Sequence, residues 1–179
     1  DNDMSIAENQ GGLYQNLALL RKTDGKAECN LFKAMGLHYE FVDRGNDVAA
    51  LITAFKEVKD STKPVVVHIN TLKGKGYAPA EKCKEQSHYR GPFDIETGKP
   101  LFDNVEEDYS SVTSEYLLEK MKKDSSVVAI TSGTPTVMGF TEDKRKEAGS
   151  QFVDVGIAEE TAVALASGVA VNGGKPFYG

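Results

Sequence analysis

The stretch Asp154-Val155-Gly156-Ile157-Ala158-Glu159-Glu160 joins the end of a strand-like run, a glycine turn, and a carboxylate, Glu159, in the first turn of the helix that should follow. The open ends of parallel strands are where α/β proteins place their sites. Glu159 is therefore a candidate for proton chemistry, although a carboxylate in a first helical turn also serves simply to stabilise its helix. Asp1-Asn2-Asp3-Met4 offers carboxylate, amide and carbonyl oxygens of the kind a hard cation such as magnesium accepts together with phosphate. Thr71-Leu72-Lys73-Gly74-Lys75-Gly76-Tyr77 follows an apolar run directly, and its two lysines and glycines suit the approach of a phosphate. Its residue order is not that of a P-loop. His88, within Ser87-His88-Tyr89-Arg90-Gly91-Pro92-Phe93-Asp94, is placed to move a proton or to hold a phosphorylated substrate. His38 and His68 read as structural, one near a glycine turn and the other inside an apolar strand.

The elements that must position these residues alternate. Val65–Ile69, Val127–Ile130 and Phe152–Val155 are short, β-branched and apolar on both faces, the pattern of buried parallel strands. After the cap candidate Asn46-Asp47, Val48, Leu51, Ile52, Phe55 and Val58 recur at helical spacing. A second helix is expected from about Tyr109 to Lys123, with Val112, Leu117, Leu118 and Met121 inward. A third is expected from about Ala158 to Val171, stopped by Asn172-Gly173-Gly174. Such alternation predicts an α/β fold with parallel sheets. Between Leu72 and Asp108 periodicity fails, and a structureless stretch that long is unusual inside one compact domain. We read residues 1–72 as one unit, 73–108 as a long linker, and 109–179 as a second unit. Lys175-Pro176-Phe177-Tyr178 reads as the lead-in to a further strand, and both ends of the chain read as interrupted.

At 179 residues, with 40% hydrophobic and 27% charged residues, the chain has the composition of a soluble globular protein. A net charge of −6 argues against nucleic acid as a partner, because phosphate backbones need a concentrated basic face. Lys144-Arg145-Lys146 is flanked by acids and reads as a solvated helix face. No apolar run approaches the roughly 20 residues that cross a bilayer, so no membrane partner is expected. Cys29 and Cys83 lack the spacing of a zinc site or redox pair. Two free thiols fit a reducing cytoplasm.

Four segments in order, Asp1–Asn9, Lys73–Glu81, His88 with Gly91-Pro92-Phe93-Asp94, and Asp154–Glu159, make the chain resemble 1-deoxy-D-xylulose-5-phosphate synthases of the transketolase superfamily. The resemblance implies parts of two thiamine-diphosphate-binding-type domains, the end of a diphosphate-binding domain before the linker and the start of a pyrimidine-binding domain after it. It implies condensation of pyruvate with glyceraldehyde 3-phosphate to 1-deoxy-D-xylulose 5-phosphate and carbon dioxide, for isoprenoid and thiamine synthesis. Thiamine diphosphate and Mg2+ are the implied cofactors and a homodimer the implied assembly. By the same resemblance Asn2 and the Met4 carbonyl ligate the metal, Lys73 lies near the diphosphate, and Tyr77 contacts the cofactor. Glu159 hydrogen-bonds the aminopyrimidine ring, and His88 handles substrate. The chain departs from the pattern at Glu160-Thr161, where Gln-His is usual, and at Asp43-Arg44-Gly45-Asn46-Asp47, where a histidine often follows Asp-Gly. It has no Gly-Asp-Gly motif, and its Ser5–Leu31 span is short. These departures leave two alternatives, a transketolase-like transfer of two-carbon ketol units and a non-catalytic module of the same fold. The isolated chain is expected to be inactive and to expose apolar surface where further strands would pair.

Overall fold

The computed structural model describes residues 1–102 and 107–179; residues 103–106, within the stretch read as a linker, lie outside them. The chain is α/β with two small parallel sheets. It divides into two compact units, one of Asp1–Met4 with Asn9–Phe102 and one of Ser5–Glu8 with Asp103–Gly179.

In the first unit, helices α1 (Gly12–Lys22) and α2 (Leu31–Ala34) precede strand β1 (His38–Val42). Helix α3 (Val48–Val58) crosses over to strand β2 (Val65–Ile69), which pairs with β1 in parallel from His38↔Val65 to Val42↔Ile69. Asp47 caps α3 by accepting the N–H groups of Ala49 and Ala50 at 2.9 and 3.4 Å, which satisfies donors the helix cannot. A sheet of two strands covers little. Val48, Ile52 and Phe55 of α3 are exposed, and Val65, Val66 and Val67 are only half-buried, so β2 is not the fully buried strand that its composition predicts. The span read as a linker holds a short helix, α4 (Ala78–Lys82), and a bridge between Phe93 and Pro100, and it groups with the first unit as far as Phe102.

The second unit is better filled. Helix α5 (Tyr109–Lys123) leads into strand β3 (Val127–Thr131), followed by α6 (Glu142–Ala148), a 3-10 turn (Gly149–Gln151), strand β4 (Phe152–Asp154), helix α7 (Glu159–Val171) and strand β5 (Lys175–Tyr178). The sheet order is β4-β3-β5, all parallel, so the predicted lead-in at Lys175 is itself a strand. Asp108 and Ser111 close a reciprocal capping box that starts α5 where the sequence predicts. Leu117, Leu118 and Met121 of α5 pack with Val127, Ala129, Met138, Phe140 and Ala148. The ring of Phe152 stacks on Phe140 at 4.7 Å. Val112, expected inward, is 45% exposed. The buried stripe is Ser114, Leu117, Leu118 and Met121, and a residue two before Ser114 faces the other way. Of the basic cluster on α6, Lys146 is solvated, whereas Lys144 and Arg145 are half-buried. The Lys144 ammonium donates to Ser114 Oγ at 2.8 Å.

Candidate functional site

The first unit presents a cleft of about 750 Å3 at the carboxyl ends of β1 and β2, lined by Asn2, Asp43, Arg44, Asn46, Lys75 and Lys84 among others. This is where a parallel sheet opens its strand ends to a ligand. Asn46 ties the two strand-end loops together, its Oδ1 accepting the Leu72 N–H at 2.8 Å. The loop that carries Asn2 and Met4 is held against β2. The Asp1 nitrogen donates to the Ile69 carbonyl at 2.8 Å, and the Thr71 N–H donates to the Asp1 carbonyl at 2.9 Å. Asn2 Oδ1 accepts the Met4 N–H at 3.3 Å, so the two expected metal ligands share one turn.

Beneath that loop runs a polar chain. Tyr39 OH lies 2.6 Å from His68 Nδ1, and His68 Nε2 lies 2.7 Å from Asp1 Oδ2. Arg21 pairs with Asp1 at 2.7 Å and with Asp3. His68 is 5% exposed. Burial foremost, helped by the nearby Arg21, pushes its pKa down to about 4. Burial also pushes the Tyr39 phenol up to about 12. Both groups are therefore neutral near pH 7. The tyrosine donates to Nδ1, and the hydrogen on Nε2 goes to the Asp1 carboxylate. His68 is structural, as its sequence context predicts, but it also anchors the Asn2–Met4 loop.

Lys73 and His88, fifteen residues apart, are brought together, with Lys73 Nζ 3.0 Å from His88 Nδ1. An ammonium has only donors, so His88 accepts at Nδ1 and carries its hydrogen on Nε2. The ring is exposed. Burial lowers the Lys73 pKa, with a smaller opposing influence from Glu85. Two of the loop amides are engaged within the protein, Gly76 N–H donating to Glu81 Oε1 at 2.9 Å and Lys75 N–H to the Leu72 carbonyl at 3.1 Å. Tyr77 packs its ring 5.9 Å from that of Phe93, and its hydroxyl is buried without a hydrogen-bond partner among the described residues.

Glu159 stands alone on the second unit. It is the first residue of α7, at the carboxyl edge of the sheet, and it is exposed. The other predicted site residues, Asn2, Met4, Lys73, Tyr77 and His88, all belong to the first unit. Behind it, Asp154 at the end of β4 accepts the N–H groups of Gly133 and Gly156 at 2.8 and 2.9 Å.

Sequence reasoning missed two groups, the Tyr39–His68–Asp1–Arg21 chain and the Asp154 acceptor. A histidine placed inside an apolar strand was the only signal for the first, and a carboxylate at a strand end two residues before a glycine was the signal for the second. No group of three or more His, Cys, Asp or Glu side chains able to hold a metal occurs among the described residues. Among them, too, no helix is long and apolar enough to cross a membrane.

No protein-family model matches the chain. Curated proteins do. It is 39% identical to 1-deoxy-D-xylulose-5-phosphate synthase of Listeria monocytogenes serotype 4b over 187 residues, covering 99% of this chain and 30% of that protein. It is 33% identical to the protein of that name from Alkaliphilus oremlandii over 214 residues, 99% of this chain and 34% of the relative. With the one from Lachnoclostridium phytofermentans it shares 43% identity over 146 residues, 82% of this chain and 23% of the relative. The chain spans about a third or less of the length of these relatives. An alignment of 214 residues against a chain of 179 means that the Alkaliphilus protein carries residues with no counterpart here.

Proposed function

The chain belongs by sequence to the 1-deoxy-D-xylulose-5-phosphate synthase family, and from that premise we propose that the protein carrying it condenses pyruvate with glyceraldehyde 3-phosphate. The products are 1-deoxy-D-xylulose 5-phosphate and carbon dioxide, and thiamine diphosphate and Mg2+ are the cofactors. We assign residues 1–72 to a diphosphate-binding domain and 109–179 to a pyrimidine-binding domain, in a cytoplasmic homodimer.

The residues present fit these groups. Asn2 Oδ1 and the Met4 carbonyl are neutral oxygen donors on one turn, and Asn2 lines the cleft. Mg2+ binds through a few such protein oxygens, with phosphate and water completing its shell. Asp1 and Asp3 are engaged by Arg21, so they hold the loop rather than the ion. The buried hydroxyl of Tyr77, without a hydrogen-bond partner among the described residues, is a donor that calls for a polar partner. Thiamine diphosphate, when bound, supplies the electron sink for decarboxylation and carbon–carbon bond formation.

The chain's own residues then do three things. Glu159 would hold a proton at a ring nitrogen of the aminopyrimidine, a task that needs a carboxylate within hydrogen-bond reach. Lys73 would favour the diphosphate by charge and also sets the tautomer of His88. His88, with Nε2–H at an exposed position, donates to a substrate oxygen. One observation carries this reading: Glu159 is an exposed carboxylate in the first turn of α7, at the carboxyl edge of a parallel sheet.

The test is substrate choice by the whole protein loaded with both cofactors. Pyruvate with glyceraldehyde 3-phosphate should be turned over, and ketose phosphates should not serve as donors. Turnover of ketose phosphates alone would favour two-carbon ketol transfer, for which the departures at Asn46 and Glu160-Thr161 leave room. No turnover of either would favour a non-catalytic module.

A further inference from the structure

We propose that Asp154 is a positioning residue that fixes the turn on which Glu159 stands, and so sets the direction of the Glu159 carboxylate. This rests on the role given to Glu159 above.

One oxygen of Asp154 ties two strand ends together. Its Oδ1 accepts Gly156 N–H at 2.9 Å from the loop after β4 and Gly133 N–H at 2.8 Å from the loop after β3. The bond to Gly156 alone would be an ordinary local turn. The bond to Gly133 spans 21 residues, and a local turn has no need of it. A carboxylate acceptor makes both bonds shorter and stronger than a neutral one would, and both are partly buried, where water competes less.

The two loops also touch. Gly133 and Gly156 have φ of +81° and +72°, a conformation that side-chain-bearing residues avoid. A Cβ added to Gly133 would lie 3.2 Å from Ile157 Cγ1 and 3.4 Å from the Gly156 carbonyl carbon. The backbone pairing continues one residue past β4, with Val155 N–H donating to the Thr131 carbonyl at 3.1 Å. Gly156 is then the first residue to leave the sheet. Ala158 N–H closes a tight turn onto the Gly156 carbonyl at 2.8 Å, and Ala162 N–H takes up the Ala158 carbonyl at 3.0 Å to start α7.

Among the described residues, no side chain caps the start of α7. Its cap position is Ala158, which makes no side-chain capping bond, whereas α3, α5 and α6 are each capped by a side chain, those of Asp47, Asp108 and Thr141. Helices without a polar cap leave their first amides unanchored. In α7 the anchor lies behind the helix, in the two amides gathered on Asp154, and Glu159 is the first residue beyond that turn.

The experiment compares the whole protein with Asp154→Ala, Asp154→Asn and Glu159→Gln. Asparagine keeps a carbonyl oxygen that can accept both amides, and alanine keeps none. In the cofactor-free protein, hydrogen exchange at the Gly133 and Gly156 amides should speed up at least about tenfold in Asp154→Ala and little in Asp154→Asn. With cofactors and substrates, kcat should fall by about 10- to 100-fold in Asp154→Ala, the scale of a small misplacement. KM for pyruvate should change by less than about threefold, and Asp154→Asn should recover most of the rate. Unchanged amide exchange or a wild-type kcat in Asp154→Ala would overturn the proposal. So would Asp154→Asn as impaired as the alanine variant, and if that variant does not fold, retention or loss of rate in Asp154→Asn decides alone. The exchange measurement does not depend on Glu159. A fully active Glu159→Gln enzyme would therefore sink the catalytic reading separately from the clamp.

Discussion

The two units solve the same problem, holding a loop at the carboxyl end of a parallel sheet, by different means. In the first, charged and aromatic side chains do it: Arg21, Asp1, His68 and Tyr39 form a connected chain under the Asn2–Met4 turn. In the second, one carboxylate oxygen and two glycine amides hold the turn before α7. The supporting cores differ likewise. The second unit packs an apolar cluster around Phe140 and buries only small hydroxyl residues beside it, Ser114, Thr131 and Ser132 among the described residues, whereas the buried residues of the first include Leu20 but also the larger polar Asn30 and His68. The difference separates charges with structural employment from charges free for chemistry. Asp1 and Asp3 are engaged by Arg21, while Glu159 is exposed with no side chain capping its helix. An exposed carboxylate on an anchored turn suits a catalytic group; paired carboxylates under a loop suit its scaffold.

The sharpest way to break this contrast is at the cores. Phe140→Ala removes a fully buried ring stacked on Phe152 and should cost about 3–5 kcal/mol, read as a loss of exchange protection across the second unit. His68→Ala should cost about 2–4 kcal/mol, because it leaves the buried Tyr39 hydroxyl without its partner and the Asp1 carboxylate with Arg21 but no imidazole. Its exchange signature should be confined to the first unit and centred on the Asn2–Met4 turn. If His68→Ala were silent there, the polar chain would not be what holds that loop.

Acid should act on the first unit through the same histidine. The folded chain holds His68 at about 4 against an ordinary 6.5. Between those values the unfolded chain takes up a proton that the folded chain refuses. The contribution of His68 to stability is complete above about pH 6.5, declines as the pH falls, and is gone near pH 4. Protection of the β1–β2 amides should decline over that window in the wild type, and His68→Ala should flatten the decline. The smallest effect is expected on the uncovered face of α3. Ile52→Ser and Phe55→Ser change residues 50% and 49% exposed, and each should shift stability by no more than about 0.5 kcal/mol. A larger loss would mean that the α3 face is covered in the whole protein.

What the sequence made legible was local. Asp47 and the Asp108–Ser111 pair lie next to the helices they start, so short-range capping rules find them. Val127–Ile130 is β-branched, apolar and central in its sheet. The strand His38–Val42 escaped because His38, its exposed first residue, and Glu40 break its apolar run. Helix Gly12–Lys22 has no acid in its first turn and no side-chain cap to announce it. The inward placement of Val112 failed because a small polar residue, Ser114, takes the buried position. At the candidate sites, residue types pointed to Glu159, Asn2 and His88. The partnerships that hold them did not show, since Asp1 meets His68 across 67 residues and Asp154 meets Gly133 across 21. Such pairs exist only once the sheets have formed, and no spacing rule reaches them.

Because the reading turns on one exposed carboxylate, replacing it while keeping its shape is the most direct trial. In the whole protein saturated with thiamine diphosphate and Mg2+, Glu159→Gln should lower kcat for pyruvate with glyceraldehyde 3-phosphate by about 100-fold or more, the scale of a lost proton partner. A Glu159→Gln enzyme that forms 1-deoxy-D-xylulose 5-phosphate at the wild-type rate would contradict the account.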